Sequence, residues 1–130
     1  MSGSWLIEHL PEAERDLKRF LKPFKGKGKE KYASFYFSIL EGLKELGLHP
    51  NSEREPFPGG VELPPEVELW KIRVKVPGLT GAAAKLRVLY LRYVLEKKLL
   101  IIAVYTHQDF QKRPPDRILA MLIKGTQNKK

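Results

Sequence analysis

The sequence contains no cysteine. Disulfides, thiolate metal sites and a thiol nucleophile are therefore excluded, and a reducing cytoplasm is the expected location. Long apolar runs are missing as well. The longest aliphatic stretch, Leu99 to Val104, is six residues, against the ~20 that a membrane helix requires. The chain does not open with a basic segment followed by an apolar one, so no signal peptide is expected. Metal-ligand spacings, a Walker loop, a nucleophile elbow and the Rossmann glycine pattern are all absent, and neither a metal nor a small-molecule cofactor is expected.

What is present is a chain of 130 residues, 42% hydrophobic, long enough to bury one core without covalent staples and expected to form a single domain over residues 1–130. Its net charge of +9 is unevenly placed. Residues 1–66 carry 10 Lys/Arg against 11 Asp/Glu, a net of −1, whereas residues 67–130 carry 14 against 4, a net of +10. An excess confined to one half speaks to partners rather than fold, and a phosphate backbone is the usual partner. The plainer reading is a surface kept soluble by charge.

Trp5-Leu6-Ile7 reads as a first strand. Pro11 follows at a helix start, with Glu12, Glu14 and Asp16 behind it and Ala13, Leu17, Phe20, Leu21 and Phe24 at helical spacing. Pro23 and the alternation Lys25-Gly26-Lys27-Gly28-Lys29 end this helix. A second helix is predicted from about Glu30 to Leu46, with an apolar stripe from Tyr32 to Leu46 and Gly47 as its C-cap. The two are expected to form an antiparallel hairpin. Residues 50–66, rich in proline and acid, read as a long loop.

The period then changes to two. In Val67–Val76, Trp70, Ile72, Val74 and Val76 share one face and Lys71, Arg73 and Lys75 the other. Further strands are predicted over Lys85–Val94 and Leu99–His107, a short helix from Asp116 to about Lys124, and a polar tail over 125–130. The order β-α-α-β-β-β-α implies an α+β fold, with the N-terminal strand and two-helix hairpin packed on a curved, mainly antiparallel sheet. The helices are expected on one face.

Three constellations carry candidate chemistry. Lys71, Arg73 and Lys75 stand about 7 Å apart along one strand face. No acid separates them, which favours an anion partner over bland solvation. Lys85 and Arg87 join the same face if the next strand pairs antiparallel, and Arg87 is suited to a bidentate phosphate grip. An ion pair between Arg87 and Glu68 is the competing reading. Beyond Arg87 the parity is apolar, through Leu89, Leu91 and Tyr93, so either a bulge re-aims the strand or both faces are buried there. The third group is Tyr105 and His107, followed by Lys112 and Arg113. His107 titrates near neutral pH and is a candidate acid or base, although a lone histidine is more often structural. Lys112 and Arg113 equally suit an electrostatic cap on the sheet. His9 and His49 border helix ends and receive no role.

With this element order, the segments Leu69-Trp70-Lys71-Ile72-Arg73, Lys85-Leu86-Arg87-Val88-Leu89-Tyr90 and Tyr105-Thr106-His107-Gln108-Asp109-Phe110-Gln111-Lys112-Arg113-Pro114 resemble the RelE/ParE toxin superfamily, nearest its RelE/HigB-like branch. The resemblance spans residues 5–124, and its specific part is 69–114. It implies a metal-independent ribonuclease that cuts messenger RNA in the ribosomal A site and is neutralised by an antitoxin. The ribose 2′-hydroxyl would attack the adjacent phosphate, helped by a base, an acid and cations. By this resemblance Lys71 and Arg73 match the paired basic residues of the second strand, and Arg87 matches the arginine that holds the scissile phosphate. His107, Lys112 and Arg113 fall where the acid and further phosphate contacts arise, and Lys75, Lys85 and Tyr105 complete the RNA-contacting set. The chain departs from compact toxins of this type by extra length in the second helix, in residues 50–66 and in the Gly78–Ala84 turn.

Two other readings remain at this stage. One is a RelE/ParE-like protein that binds RNA, or a protein such as gyrase, without catalysis. The other is a basic RNA-binding module, which lacks the aromatic signature of the commonest such fold.

Overall fold

A computed structural model describes residues 4–127. Chain order is β1 (Leu6–His9), α1 (Pro11–Leu21), α2 (Lys27–Leu46), β2 (Ser52–Glu55), β3 (Val67–Lys75), a 3₁₀ turn (Gly81–Ala84), β4 (Lys85–Tyr93), β5 (Lys98–Thr106) and α3 (Asp116–Gln127). The fold is α+β, as expected. Its sheet has five strands in the order β1-β5-β4-β3-β2, antiparallel throughout except for the parallel pairing of β1 with β5.

β2 lies inside residues 50–66, which read as a loop. Ser52–Glu55 has no apolar alternation because it is a four-residue edge strand and buries little. What makes it a strand is the unpaired edge of β3, whose backbone groups it satisfies from Ser52↔Ile72 to Glu55↔Leu69. The second helix begins at Lys27, three residues earlier than expected, just after Gly26, whose positive φ turns the chain into it. The last helix runs on to Gln127, so residues 125–127 of the expected tail are helical, and 128–130 lie outside the described residues.

Two surfaces of the sheet are covered differently. Directly paired residues of an antiparallel ladder point the same way, so the register assigns each side chain to a face. One face carries Ile72, Tyr90, Val88, Ile101 and Val104 and packs under α2, where Tyr36, Ile39 and Leu43 are buried. At the far end of that helix Gly47 adopts the left-handed conformation, and a Cβ there would collide with the Trp5 indole. α1 runs along the edge of β5 beyond the end of β1, and the Asp16 carboxylate accepts the Val104 N–H at 3.0 Å. A helix side chain thus closes a sheet edge that β1 leaves open. Burial of this carboxyl pushes its pKa up, against the lowering effects of the Val104 hydrogen bond and Arg19.

The opposite face is not bare, contrary to the expectation that all helices lie on one side. Its first half, with Val67, Leu69, Leu89 and Leu91, lies beneath α3 and the segment between β2 and β3, through Leu119, Ile123 and Val61. This coverage resolves the parity slip along β4: past Arg87 both faces are buried. A bulge exists too, but on β5. Leu89 pairs with Ala103 and Tyr90 with Ile101, which leaves Ile102 unpaired.

Candidate phosphate-binding cleft

The uncovered half of that second face is a cleft of about 870 Å³. Three rows of side chains cross it. In the first, Arg73 pairs with Arg87 and Arg87 with Tyr105. In the second, Lys75 pairs with Lys85, whose carbonyl accepts the His107 N–H at 3.0 Å. The third holds Glu53 beside Lys71. Lys71, Arg73, Lys75, Lys85, Arg87, His107 and Lys112 all line the cleft, so seven of the nine residues singled out in the sequence meet in one place.

The β5 bulge is what brings the last strand into these rows. Upstream of Ile102 the even positions Lys98 and Leu100 share this face; downstream it is the odd ones, Ala103 and Tyr105. His107 is then held by the turn that follows. The Asp109 carboxylate accepts the Thr106 N–H at 3.0 Å, and the Thr106 hydroxyl accepts the Gln108 N–H at 3.2 Å.

Arg87 sits on the cleft floor, only 7% exposed. Its guanidinium donates to the Leu86 carbonyl at 3.2 Å and has no ion pair among the described residues. Burial holds its pKa below the usual arginine value and neighbouring Arg73 adds to the effect, while Tyr105 and Glu53 oppose it. The group remains a cation. The competing ion pair with Glu68 is not formed. Glu68 pairs with Arg92 on the other face, accepting from it at 3.0 Å and from Trp70 at 2.8 Å. These partners hold the Glu68 pKa below the usual carboxylate range although desolvation, the largest effect, pushes the other way. A buried cation that faces an open cleft with no ion pair among the described residues makes Arg87 a candidate for holding an anion.

The remaining cations divide. Lys75, Lys85 and Lys112 form no ion pair among the described residues. Lys71 is held 3.1 Å from Glu55, with both side chains 12% exposed, and Arg73 is held 2.6 Å from Glu53. Two expected RNA contacts lie elsewhere. Tyr105 is buried, its hydroxyl donates to the Lys112 carbonyl, and desolvation pushes its pKa up. Arg113 joins segments: it donates to Glu55 at 3.1 Å, to the Pro56 carbonyl at 2.8 Å and to Asp116 at 3.0 Å.

Sequence reasoning missed Glu53, the one carboxylate in the lining, and Gln111. The alternating charges of Ser52-Glu53-Arg54-Glu55 were a faint signal of a strand whose acids face a basic neighbour. Among the described residues no group of His, Asp and Glu side chains is placed to hold a metal ion, and no helix is long and apolar enough to cross a membrane.

No protein-family model and no curated protein matches the chain. Among solved structures it is similar to the E. coli toxin RelE, an arginine-to-alanine double mutant in the free state. The TM-score is 0.42 and the identity 14%, over 83% of this chain and 88% of that one. A likeness of that degree assigns neither a family nor an activity, and the chemistry rests on the cleft.

Proposed function

We propose that this chain is a RelE-type toxin, a metal-independent ribonuclease that cuts messenger RNA on the ribosome and is silenced by an antitoxin that covers the basic face. The observation that supports it is the convergence of Lys71, Arg73, Arg87 and His107 in one cleft, with Arg87 forming no ion pair among the described residues. In the reaction the ribose 2′-oxygen bonds to the adjacent phosphorus and the bond to the next nucleotide's 5′-oxygen breaks. The products are a cyclic phosphate and a 5′-hydroxyl. Arg87, with Lys75 and Lys85, meets the charge that develops on the phosphorane, an electrostatic effect that is usually large. His107 delivers a proton to the leaving oxygen, and Glu53 is the carboxylate placed to accept one from the 2′-hydroxyl once substrate draws Arg73 away.

A second reading, RNA or protein binding without cleavage, draws on the ion pairs Lys71–Glu55 and Arg73–Glu53, which neutralise two of the four side chains at rest. Translating ribosomes with a defined message, incubated with the protein in EDTA, separate the two. Cuts mapped within A-site codons, and lost by a factor of about 100 or more in Arg87→Ala, support the ribonuclease. Intact message with folded protein, or a fully active Arg87→Ala variant, sinks it.

A further inference from the structure

We propose that the lysine-rich connection between α1 and α2 is a second phosphate-binding site, which takes the sugar-phosphate backbone of an RNA strand where it leaves the cleft. This rests on the RNA-binding part of the function proposed above and assigns residues outside the cleft.

The near-neutral first half of the chain conceals a strongly basic block. Residues 18–31 contain seven Lys/Arg and a single acid, Glu30, a net of +6. Lys22, Lys25, Lys27, Lys29 and Lys31 are exposed, and none of them forms an ion pair among the described residues. The arginines of α1 behave differently: Arg15 pairs with Glu12, and Arg19 with Asp16 and Asp109.

The placement of the lysines argues against a role in stability. Lys27, Lys29 and Lys31 occupy the start of α2, the end of a helix where the backbone dipole disfavours cations. Lys27 and Lys31 are also one turn apart, a spacing at which like charges repel. Lysines concentrated where they cost stability need an anion to explain them.

The block is continuous with the cleft. The Val76 N–H donates to the Ala84 carbonyl at 2.7 Å, closing a neck from which residues 77–83 project. On one side of this projection Gly81 and Ala84 border the cleft. On the other, Gly78 sits against α2: a Cβ at that position would lie 3.2 Å from both the Lys31 ammonium and the Tyr32 hydroxyl. Lys75 and Lys85 flank the neck itself, and no acid occurs from residue 69 to residue 95. A strand held on Arg87 and leaving past the neck therefore meets Lys31 and then Lys29, Lys27 and Lys25, with Glu30 the one acid among them. Lys25, Lys27 and Lys29 alternate with Gly26 and Gly28, which leaves their ammonium groups open to a phosphate backbone.

The test uses fully 2′-O-methylated oligonucleotides, whose attacking hydroxyl is blocked, of about 4 and about 20 nucleotides. Affinities are measured by fluorescence anisotropy across a salt series for the native chain and for Lys25→Gln/Lys27→Gln/Lys29→Gln. The native protein is expected to show a steeper salt slope on the long oligonucleotide than on the short one. The triple variant is expected to lose about 2 units of slope on the long oligonucleotide, at ~0.7 per phosphate contact, and none on the short one. Circular dichroism should show undiminished helix. A matched variant, Lys44→Gln/Lys97→Gln/Lys124→Gln, removes the same charge elsewhere and should leave both slopes unchanged. An unchanged slope in the first variant, or an equal loss in the second, overturns this site alone. If the native chain binds neither oligonucleotide, the RNA reading of the cleft falls with it.

Discussion

One face of the sheet presents two surfaces built on the same three strands. At one end the pair Leu69 and Leu91 lies under α3; four residues further along, the pair Arg73 and Arg87 occupies the equivalent place in an open cleft, and between them Lys71 stands opposite Leu89. Backbone geometry is common to both. The difference is the cover: the segment from Phe57 to Leu63 and α3 close over the first and stop short of the second. Between them runs a seam of charge in which Glu55 is shared by Lys71 and Arg113, and Arg113 also holds Asp116 at the start of α3. Strand alternation alone therefore does not decide which surface stays open; the boundary of the layer above it does.

The contrast can be broken from either side. The largest effect is expected in the covered half. Leu91→Ala removes a side chain with no exposure and should cost about 2–5 kcal/mol in chemical denaturation, while Lys75→Ala in the open half should stay within about 0.5 kcal/mol. Equal costs would mean that the two halves are not differently covered. The seam comes next. Arg113→Ala leaves Glu55 with Lys71 alone and unties the start of α3, an expected loss of about 2 kcal/mol that is measurable in the same experiment. A neutral result would show that the apolar contacts of Leu119 and Ile123 position α3 unaided.

The smallest effect tests the first face. His9 hydrogen-bonds the Tyr36 hydroxyl at 2.8 Å, and burial lowers its pKa, partly offset by Glu14. Its folded pKa lies below the unfolded value of about 6.5, so the neutral ring is favoured in the native state. That contribution is present above about pH 6.5 and is lost as the unfolded chain takes up the proton below it. Thermal stability should fall between about pH 7 and pH 5, and His9→Gln should flatten the fall. His49, also lowered by burial, retains the remainder. An identical slope in the variant would remove His9 as a source of the dependence.

Local rules made much of this legible. The alternation from Val67 to Lys75 fixed a strand with Trp70 and Ile72 on one face and the cations on the other, and the register to Arg87 followed once the next strand paired antiparallel. The spacing from Ala13 to Phe24 and from Tyr32 to Leu43 found both long helices. Non-local choices were hidden. Nothing in Ser52–Glu55 reports that β3 has a free edge, and the ion pairs of Glu53 and Glu55 join residues 16 to 58 positions apart. The side taken by α3 was equally obscure, because Leu119 and Ile123 suit either face of a sheet whose middle strands are apolar on both. The bulge was invisible for a related reason: Leu99 to Val104 is aliphatic at every position, so no change of pattern marks where the parity turns over.

That unpaired Ile102 works as a counter. Were Ile102 paired with Leu89 instead of bulged out, the strand would keep its hydrogen bonds with β1 and still present aliphatic side chains on both sides, yet Tyr105 would fall opposite Leu86 and, with His107, face α2, and the basic rows would end at β4. Deletion of Ile102 would instead heal the bulge and leave Tyr105 opposite Arg87. The share that β5 takes in the first two rows of the cleft is thus set by a count of residues, a property that side-chain chemistry neither encodes nor repairs.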